Sequence, residues 1–165
     1  MYTLILFIMS VLSTSTLEVS SPSFKNGGYI PITYSCEGKN INPAIEVKNI
    51  PSGTQTLALI MDDPDAPGGT FTHWLIWNLE PGKVIKESSS PGTEGKNGMG
   101  KKGYAGPCPP AGTGVHHYHF KVYALNVKLD LGIMVDKAVL DSAVKKHLLA
   151  QGELIGLYKN TKTVK

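Results

Sequence analysis

The sequence predicts a mostly β protein: an antiparallel β-sandwich with one or two peripheral helices near the C-terminus. Several apolar or alternating segments follow one another before a single amphipathic segment, an order that favours packed sheets over a doubly wound α/β fold. Eighteen glycines and eleven prolines in 165 residues suit strands joined by shaped loops. The chain is 41% hydrophobic and 18% charged, which excludes intrinsic disorder and coiled coil.

Seven segments have the composition of β-strands. Residues 56–61 are continuously apolar, which predicts a strand buried on both faces. Residues 73–79 are rich in aromatic and β-branched side chains, and residues 115–126 show the clearest alternation. In chain order the predicted strands are 17–19, 29–34, 45–47, 56–61, 73–79, 115–126 and 153–158.

Residues 136–151 predict the one convincing helix. Asp136 is placed to cap its start and Gly152 its end. The buried side recurs with helical spacing at Leu140, Ala143, Val144, His147 and Leu148.

The N-terminal residues have features of an export signal. Residues 4–12 are apolar over the length of a signal-peptide core, and small residues follow at 13–15, although no Lys or Arg precedes them. We interpret residues 1–16 as a signal peptide or disordered leader, with a mis-assigned start or a buried first strand as alternatives. Export to the periplasm or the extracellular space is favoured over a cytoplasmic location, and residues 17–165 form a single domain.

The chain has two cysteines, Cys36 and Cys108. Their spacing fits no zinc knuckle or CxxC motif. In an exported protein they could form a disulfide, whereas in a cytosolic one they would be reduced and packed. The sequence leaves both alternatives open.

Charge argues against binding to nucleic acid, and the length of the apolar runs argues against a membrane-spanning helix. The sixteen basic residues are all lysine and are interspersed with thirteen acids, whereas nucleic-acid binders usually cluster their bases and use arginine. No apolar run reaches the roughly 18 residues of a membrane-spanning helix. Nucleic acid and an integral membrane segment are therefore not expected.

Two carboxylates and a histidine lie where one predicted strand ends and the next begins. Asp63 and Asp65, in the motif DDPDAP, follow the strand at 56–61, and prolines fix their directions. They could orient a histidine or accept a cationic group, but a plain surface turn also explains them. His73 opens the next strand, where alternation places it on the face of Leu75 and Trp77. An exposed strand-end histidine is the simpler alternative.

A glycine- and proline-rich loop precedes the clearest strand. Residues 106–114 could present backbone N–H groups to an anion, or form only a rigid turn. In the strand, alternation places His116 and Tyr118 on the apolar face and His117 and His119 on the polar one. The inward pair is expected to line a cavity. The outward pair lacks a third ligand, so no metal site is predicted.

These motifs together resemble the phosphatidylethanolamine-binding protein family, also called Raf-kinase-inhibitor-like, in its compact bacterial and archaeal branch. The resemblance covers residues 17–158. It lies in DDPDAP, the HW pair at a strand start, GYAGPCPPAGTGVHHYHFKVYAL, the opening SSPSFKNGGYIPITYSCEGKNINPAIEVKNIP and the late LLAQGELIGLY.

The resemblance implies a β-sandwich with a small anion pocket. His117 stands where the family usually has arginine, which puts in doubt any salt bridge that the arginine makes. The chain also ends without the C-terminal helix of longer eukaryotic members, so kinase regulation is not carried over. The pocket would use Asp63, Asp65, His73, Gly106, Cys108, Pro109, Pro110, His116 and Tyr118.

We therefore expect a non-enzymatic protein with a conformationally fixed pocket for a small anion such as phosphate, phosphoethanolamine or a phospholipid head group. No nucleophile is placed beside a base and no metal triad is visible, so neither catalysis nor a cofactor is expected. The alternative is a protein-interaction module that inhibits a protease or a signalling enzyme. Its contacts would come from residues 87–102, part of a long irregular stretch, because such loops are usually functional.

Overall fold

The computed structural model describes residues 16–132 and 134–161. One helix, α1 (Lys137–His147), and a 3-10 turn at Ile32–Tyr34 accompany eight strands. The strands are β1 (Glu18–Ser20), β2 (Gly28–Tyr29), β3 (Glu46–Lys48), β4 (Thr56–Asp63), β5 (Phe71–Leu79), β6 (Thr93–Glu94), β7 (Val115–Leu125) and β8 (Leu148–Lys159).

Six strands form one large sheet in the order β2-β8-β7-β4-β5-β6. All neighbours are antiparallel except β2, which runs parallel to β8. Strands β1 and β3 form a separate antiparallel pair. The mostly β class is confirmed, but the antiparallel sandwich is only partly matched because the large sheet is mixed.

The large sheet is covered on both faces. One core lies between it and the N-terminal segments, where Val19, Phe24 and Ile45 meet sheet residues such as Phe120. The other core lies under α1 and includes Leu140 and the sheet residues of that face. All eight residues of β4 are buried, as the continuous apolar run predicts.

Two elements end earlier than the sequence predicts. The predicted strand at 29–34 stops at Tyr29, and the chain turns into the 3-10 turn after Pro31, which has no N–H to donate to a sheet. Asp136 caps α1 by accepting from the Val139 amide at 3.1 Å, but the helix ends at His147. Leu148 is already extended and pairs with Leu125, so the predicted end at residue 151 is wrong.

The long stretch that includes residues 87–102 is more regular than predicted. It contains β6, which pairs with β5 at Trp77, and a bridge between Lys96 and Lys102. Glu94 in β6 accepts a hydrogen bond from the Trp74 indole at 2.9 Å. These contacts fix the stretch against the edge of the sheet.

The predicted leader at 1–16 lies outside the described residues except for Thr16, which bridges to Gln151. A second C-terminal helix is not seen in residues 16–132 and 134–161. In the same part of the chain, α1 is too short and too polar to cross a membrane.

Candidate functional site

Asp63 and His116 form a buried pair at one end of the sheet. Strands β4 and β7 run antiparallel, with Asp62 opposite His119, so the end of β4 meets the start of β7. Asp63 Oδ2 lies 2.8 Å from His116 Nδ1, and the two side chains are only 4% and 2% exposed. The predicted orientation of a histidine by Asp63 is present in this geometry.

The second ring nitrogen of His116 contacts Thr113. Thr113 Oγ1 lies 2.8 Å from His116 Nε2 and 2.9 Å from the carbonyl oxygen of Pro110. The hydroxyl donates to that carbonyl, and its oxygen has a lone pair that can accept from Nε2, while Asp63 accepts from Nδ1. Contacts at both ring nitrogens thus hold the imidazole of His116 in place.

Tyr118 places a hydroxyl with no partner beside this pair. Its side chain is fully buried, and its oxygen makes no hydrogen bond of acceptable geometry within the described residues, although the Asp63 carboxylate and the Cys108 backbone lie near it. Burial raises the pKa of Tyr118, and the nearby Asp63 carboxylate raises it further, so the hydroxyl keeps its proton. The backbone of Cys108 acts on this pKa in the opposite direction. A proton donor is therefore available inside the site.

His73 joins the site because of a β-bulge. The β4–β5 register shifts between Met61 and Asp62, which leaves His73 without a partner in β4. Its ring lies 5.1 Å from the ring of Tyr118. The prediction that His73 shares a face with Leu75 and Trp77 is wrong, because those two side chains pack in the core under α1. The bulge reverses the alternation that the sequence implies.

The tautomer of His73 follows from its backbone contact. Nδ1 lies 2.6 Å from the carbonyl oxygen of Ala105 and must donate to it. Burial lowers the pKa of His73, and the contact with Ala105 only partly opposes this effect. The ring is therefore neutral at pH 7, and its Nε2 carries a lone pair that can accept a proton.

The loop that begins at Gly106 is tied to the N-terminal half of the chain. The Gly106 amide donates to Asn40 Oδ1 at 2.7 Å, and a Cβ at this position would lie 2.3 Å from the Tyr34 carbonyl oxygen. A disulfide joins Cys108 to Cys36, so the bonded alternative left open by the sequence is the one seen. The loop is thereby closed across 72 residues.

The proline residues of the loop take different positions. Pro109 is buried, and its carbonyl accepts from Asn160 Nδ2 at 2.8 Å. Pro110 is exposed and begins the turn that ends at Thr113. Both prolines thus shape the loop through their backbone.

Asp65 lies outside this buried group. It is 41% exposed and accepts from both the backbone amide and Nδ1 of His117, at 2.8 and 2.7 Å. The hydrogen bond from the His117 ring is the main reason that the pKa of Asp65 is lowered. The amide of Asp65 also donates to Asp63 Oδ1 at 2.9 Å. His117, at the usual arginine position, thus keeps a hydrogen-bonded contact with Asp65.

The structure therefore brings together Asp63, His73, His116 and Tyr118, with the loop at residues 106–110 beside them. Sequence reasoning did not single out Thr113, although it lies three residues before His116 at the end of a glycine-flanked turn. His73, His116 and Tyr118 are at most 5% exposed, so the site is almost closed to solvent.

No metal centre is present among residues 16–132 and 134–161: no three His, Cys, Asp or Glu side chains converge there. The outward histidines of β7 each pair with a carboxylate instead. His119 Nδ1 lies 2.8 Å from Glu153 Oε1, much as His117 contacts Asp65.

Comparison with known proteins identifies a family and related chains that share this fold. The family described as phosphatidylethanolamine-binding protein matches residues 20–159. A UPF0098 protein of Pyrococcus horikoshii is 45% identical over 153 residues, covering 87% of this chain and 77% of that protein.

Two crystal structures are similar. A homologue of phosphatidylethanolamine-binding protein from Chlamydia trachomatis has a TM-score of 0.83 and 34% identity, covering 89% of this chain and 99% of its own. YbcL of E. coli, described as a new member of the mammalian family, has a TM-score of 0.82 and 27% identity, covering 89% and 100%. The chain therefore belongs to the phosphatidylethanolamine-binding protein family, in its compact prokaryotic branch.

Proposed function

We propose that the protein binds a small oxyanion, either inorganic phosphate or the phosphate of a head group such as phosphoethanolamine. Its family makes it a small-ligand-binding protein. The observation that carries the proposal is the Tyr118 hydroxyl, which is fully buried and lacks a partner within the described residues. An unsatisfied buried polar group costs about 1–3 kcal/mol, which a ligand oxygen would offset by accepting its proton.

The site offers acceptors as well as donors. Asp63 and His116 are engaged with each other at 2.8 Å, whereas His73 Nε2 presents a lone pair. A phosphate that retains one proton can donate it to His73 and accept from Tyr118. Sulfate has no proton to donate at neutral pH. This chemistry favours phosphate over sulfate.

The proposal does not include catalysis. Thr113, His116 and Asp63 form an alcohol–imidazole–carboxylate chain, which has the connectivity of a hydrolase triad. However, the Thr113 hydroxyl donates to the Pro110 carbonyl at 2.9 Å, and a proton engaged there is not presented to His116. Cys108, the nearest thiol position, is held in a disulfide.

Calorimetric titration at pH 7 tests the proposal with phosphate, phosphoethanolamine and sulfate. We expect saturable binding of inorganic phosphate, at least tenfold tighter than sulfate, and binding of phosphoethanolamine chiefly at pH 6, where its phosphate regains a proton. Y118F should lose at least about tenfold in affinity, since one hydrogen bond to a charged group contributes about 1.5–3 kcal/mol. Lowering the pH from 8 to 6 should tighten binding, because a bound anion raises the pKa of His73. No saturable phosphate binding, or equal binding of sulfate, would contradict the proposal.

A second candidate function is the inhibition of a protease or signalling enzyme through residues 87–102. Met99 at the tip is 57% exposed, while Asn97 holds the turn by accepting from the amides of Met99 and Lys101. A rigid exposed apolar tip is suited to contact with a protein. Deleting the whole segment would also remove the Glu94 contact to the core, so M99D is the sharper variant. It should abolish inhibition of a serine protease panel without changing phosphate affinity.

A further inference from the structure

The turn at residues 110–114 places a hydroxyl against the imidazole of the candidate site. Thr113 Oγ1 lies 2.8 Å from His116 Nε2, the one ring nitrogen that Asp63 does not already engage. An oxygen at hydrogen-bond distance from this N–H occupies the position that an oxygen of a bound anion would take.

We propose that Thr113 is an internal stand-in for the ligand, and that an anion binds by displacing its hydroxyl from His116. The inference rests on the oxyanion-binding function proposed above. It adds a competing group, and therefore a determinant of affinity, that belongs to the protein itself. A ligand must exchange one hydrogen bond for another at this nitrogen, which reduces its net gain.

The turn has the geometry of a movable cover. The amide of Thr113 donates to the Pro110 carbonyl at 3.3 Å, which closes a four-residue turn. Gly112 and Gly114 on either side of Thr113 have φ of 87° and 93°, values that glycine adopts without strain. Residues 110–113 are exposed, so little packing opposes an outward movement of the turn.

Hydrogen-bond directions favour a cover over a nucleophile. Thr113 donates to the Pro110 carbonyl and accepts from His116, so its oxygen behaves towards the imidazole as an anion's oxygen would. A nucleophilic threonine would instead donate to the imidazole. The carbonyl of Pro110 also keeps the hydroxyl available to return once the ligand leaves.

The test compares phosphate affinity in the full chain with and without this hydroxyl. T113V removes it at similar size, and T113S restores it. A matched control is T54V, because Thr54 Oγ1 donates to the Pro51 carbonyl at 2.7 Å in a turn that does not include His116. We expect T113V to bind phosphate about five- to tenfold more tightly than the wild type, and T113S and T54V to match the wild type.

Several results would overturn the inference. If the wild type binds phosphate and T113V binds it equally or more weakly, Thr113 is not a competitor, while the proposed function stands. If neither protein binds phosphate, the proposed function fails and the inference falls with it. Hydrolysis of p-nitrophenyl acetate that T113V abolishes and T54V retains would make Thr113 a nucleophile.

A readout without ligand checks the contact itself. In protein labelled with ¹⁵N-histidine, the Nε2 resonance of His116 should shift in T113V but not in T113S or T54V. Phosphate added to the wild type should move the same resonance together with the backbone amides of Gly112 and Gly114. A His116 resonance that is insensitive to T113V would contradict the proposed contact.

Discussion

His116 Nδ1 lies 2.8 Å from Asp63 Oδ2, although the two residues are 53 positions apart in the sequence. The pair joins the last residue of β4 to the second residue of β7, where both strands reach the end of the sheet that carries the candidate site. Because both side chains are buried, each depends on the other for the solvation that water would supply.

Breaking this pair should therefore destabilise the fold strongly. D63A leaves His116 without its buried partner, and we expect a loss of about 3–5 kcal/mol in the free energy of unfolding. Urea denaturation measures it. D65A is the matched control: the Asp65–His117 pair is half-exposed, so its loss should stay below about 1 kcal/mol. Equal losses in both variants would show that the buried pair has no special role.

Removing the Tyr118 hydroxyl should have opposite effects on stability and binding. Y118F deletes an unsatisfied buried group. We therefore expect the free energy of unfolding of the ligand-free protein to rise by about 1 kcal/mol, while phosphate affinity falls. In the control Y104F, the lost hydroxyl donates to the Tyr34 carbonyl at 2.8 Å. In Y104F the free energy of unfolding should fall by about 1 kcal/mol, and the affinity for phosphate should not change. A stability loss in Y118F would indicate that its hydroxyl has a protein partner.

Reducing the disulfide should destabilise the fold and release the loop at residues 106–110 from the N-terminal half of the chain. Cys36 and Cys108 are both exposed, so dithiothreitol can reach them. Opening a closed loop of 72 residues is expected to lower the free energy of unfolding by about 4 kcal/mol. Denaturation with and without dithiothreitol measures the effect. C36S should match the reduced wild type and respond to the reductant no further; an unchanged midpoint on reduction would contradict the expectation.

Acid should destabilise the protein through His73. Its pKa in the folded state is below the ordinary 6.5, so the unfolded chain binds a proton more readily. Above pH 6.5 the titration of His73 does not change the free energy of unfolding. As the pH falls from 6.5 towards the pKa of His73 in the folded state, the free energy of unfolding decreases. Unfolding of wild type and H73Q between pH 8 and 5 should show the difference between them narrowing on the acid side. A difference that is constant with pH would refute the assignment.

The sequence predicts the strands whose pattern does not depend on distant contacts. The full burial of β4 and the inward direction of His116 and Tyr118 follow from apolar continuity and alternation. The face of His73 could not be predicted, because a bulge at the β4–β5 pairing sets it. Alternation fails wherever one strand has an extra residue.

Other features depend on tertiary contacts that one segment does not encode. Leu148 continues the helical spacing, yet sheet pairing with Leu125 ends the helix before it. The disulfide forms because the folded loops bring the Cα atoms of Cys36 and Cys108 to 5.4 Å from each other. A separation of 72 residues in the sequence does not predict that distance. The position of Thr113 depends likewise on the turn that Pro110 begins.

The place of β8 in the sheet has a consequence for folding kinetics. It pairs with β7 along eleven positions, with β2 in parallel, and with Leu17 through the Gln151 carbonyl. Just after β8, Asn160 donates a hydrogen bond to the Pro109 carbonyl in the loop at residues 106–110. During synthesis β7 therefore has an unpaired edge, open to association with other chains, until β8 emerges from the ribosome. The strand that covers the free edge of β7 is thus the one that ends this aggregation-prone interval.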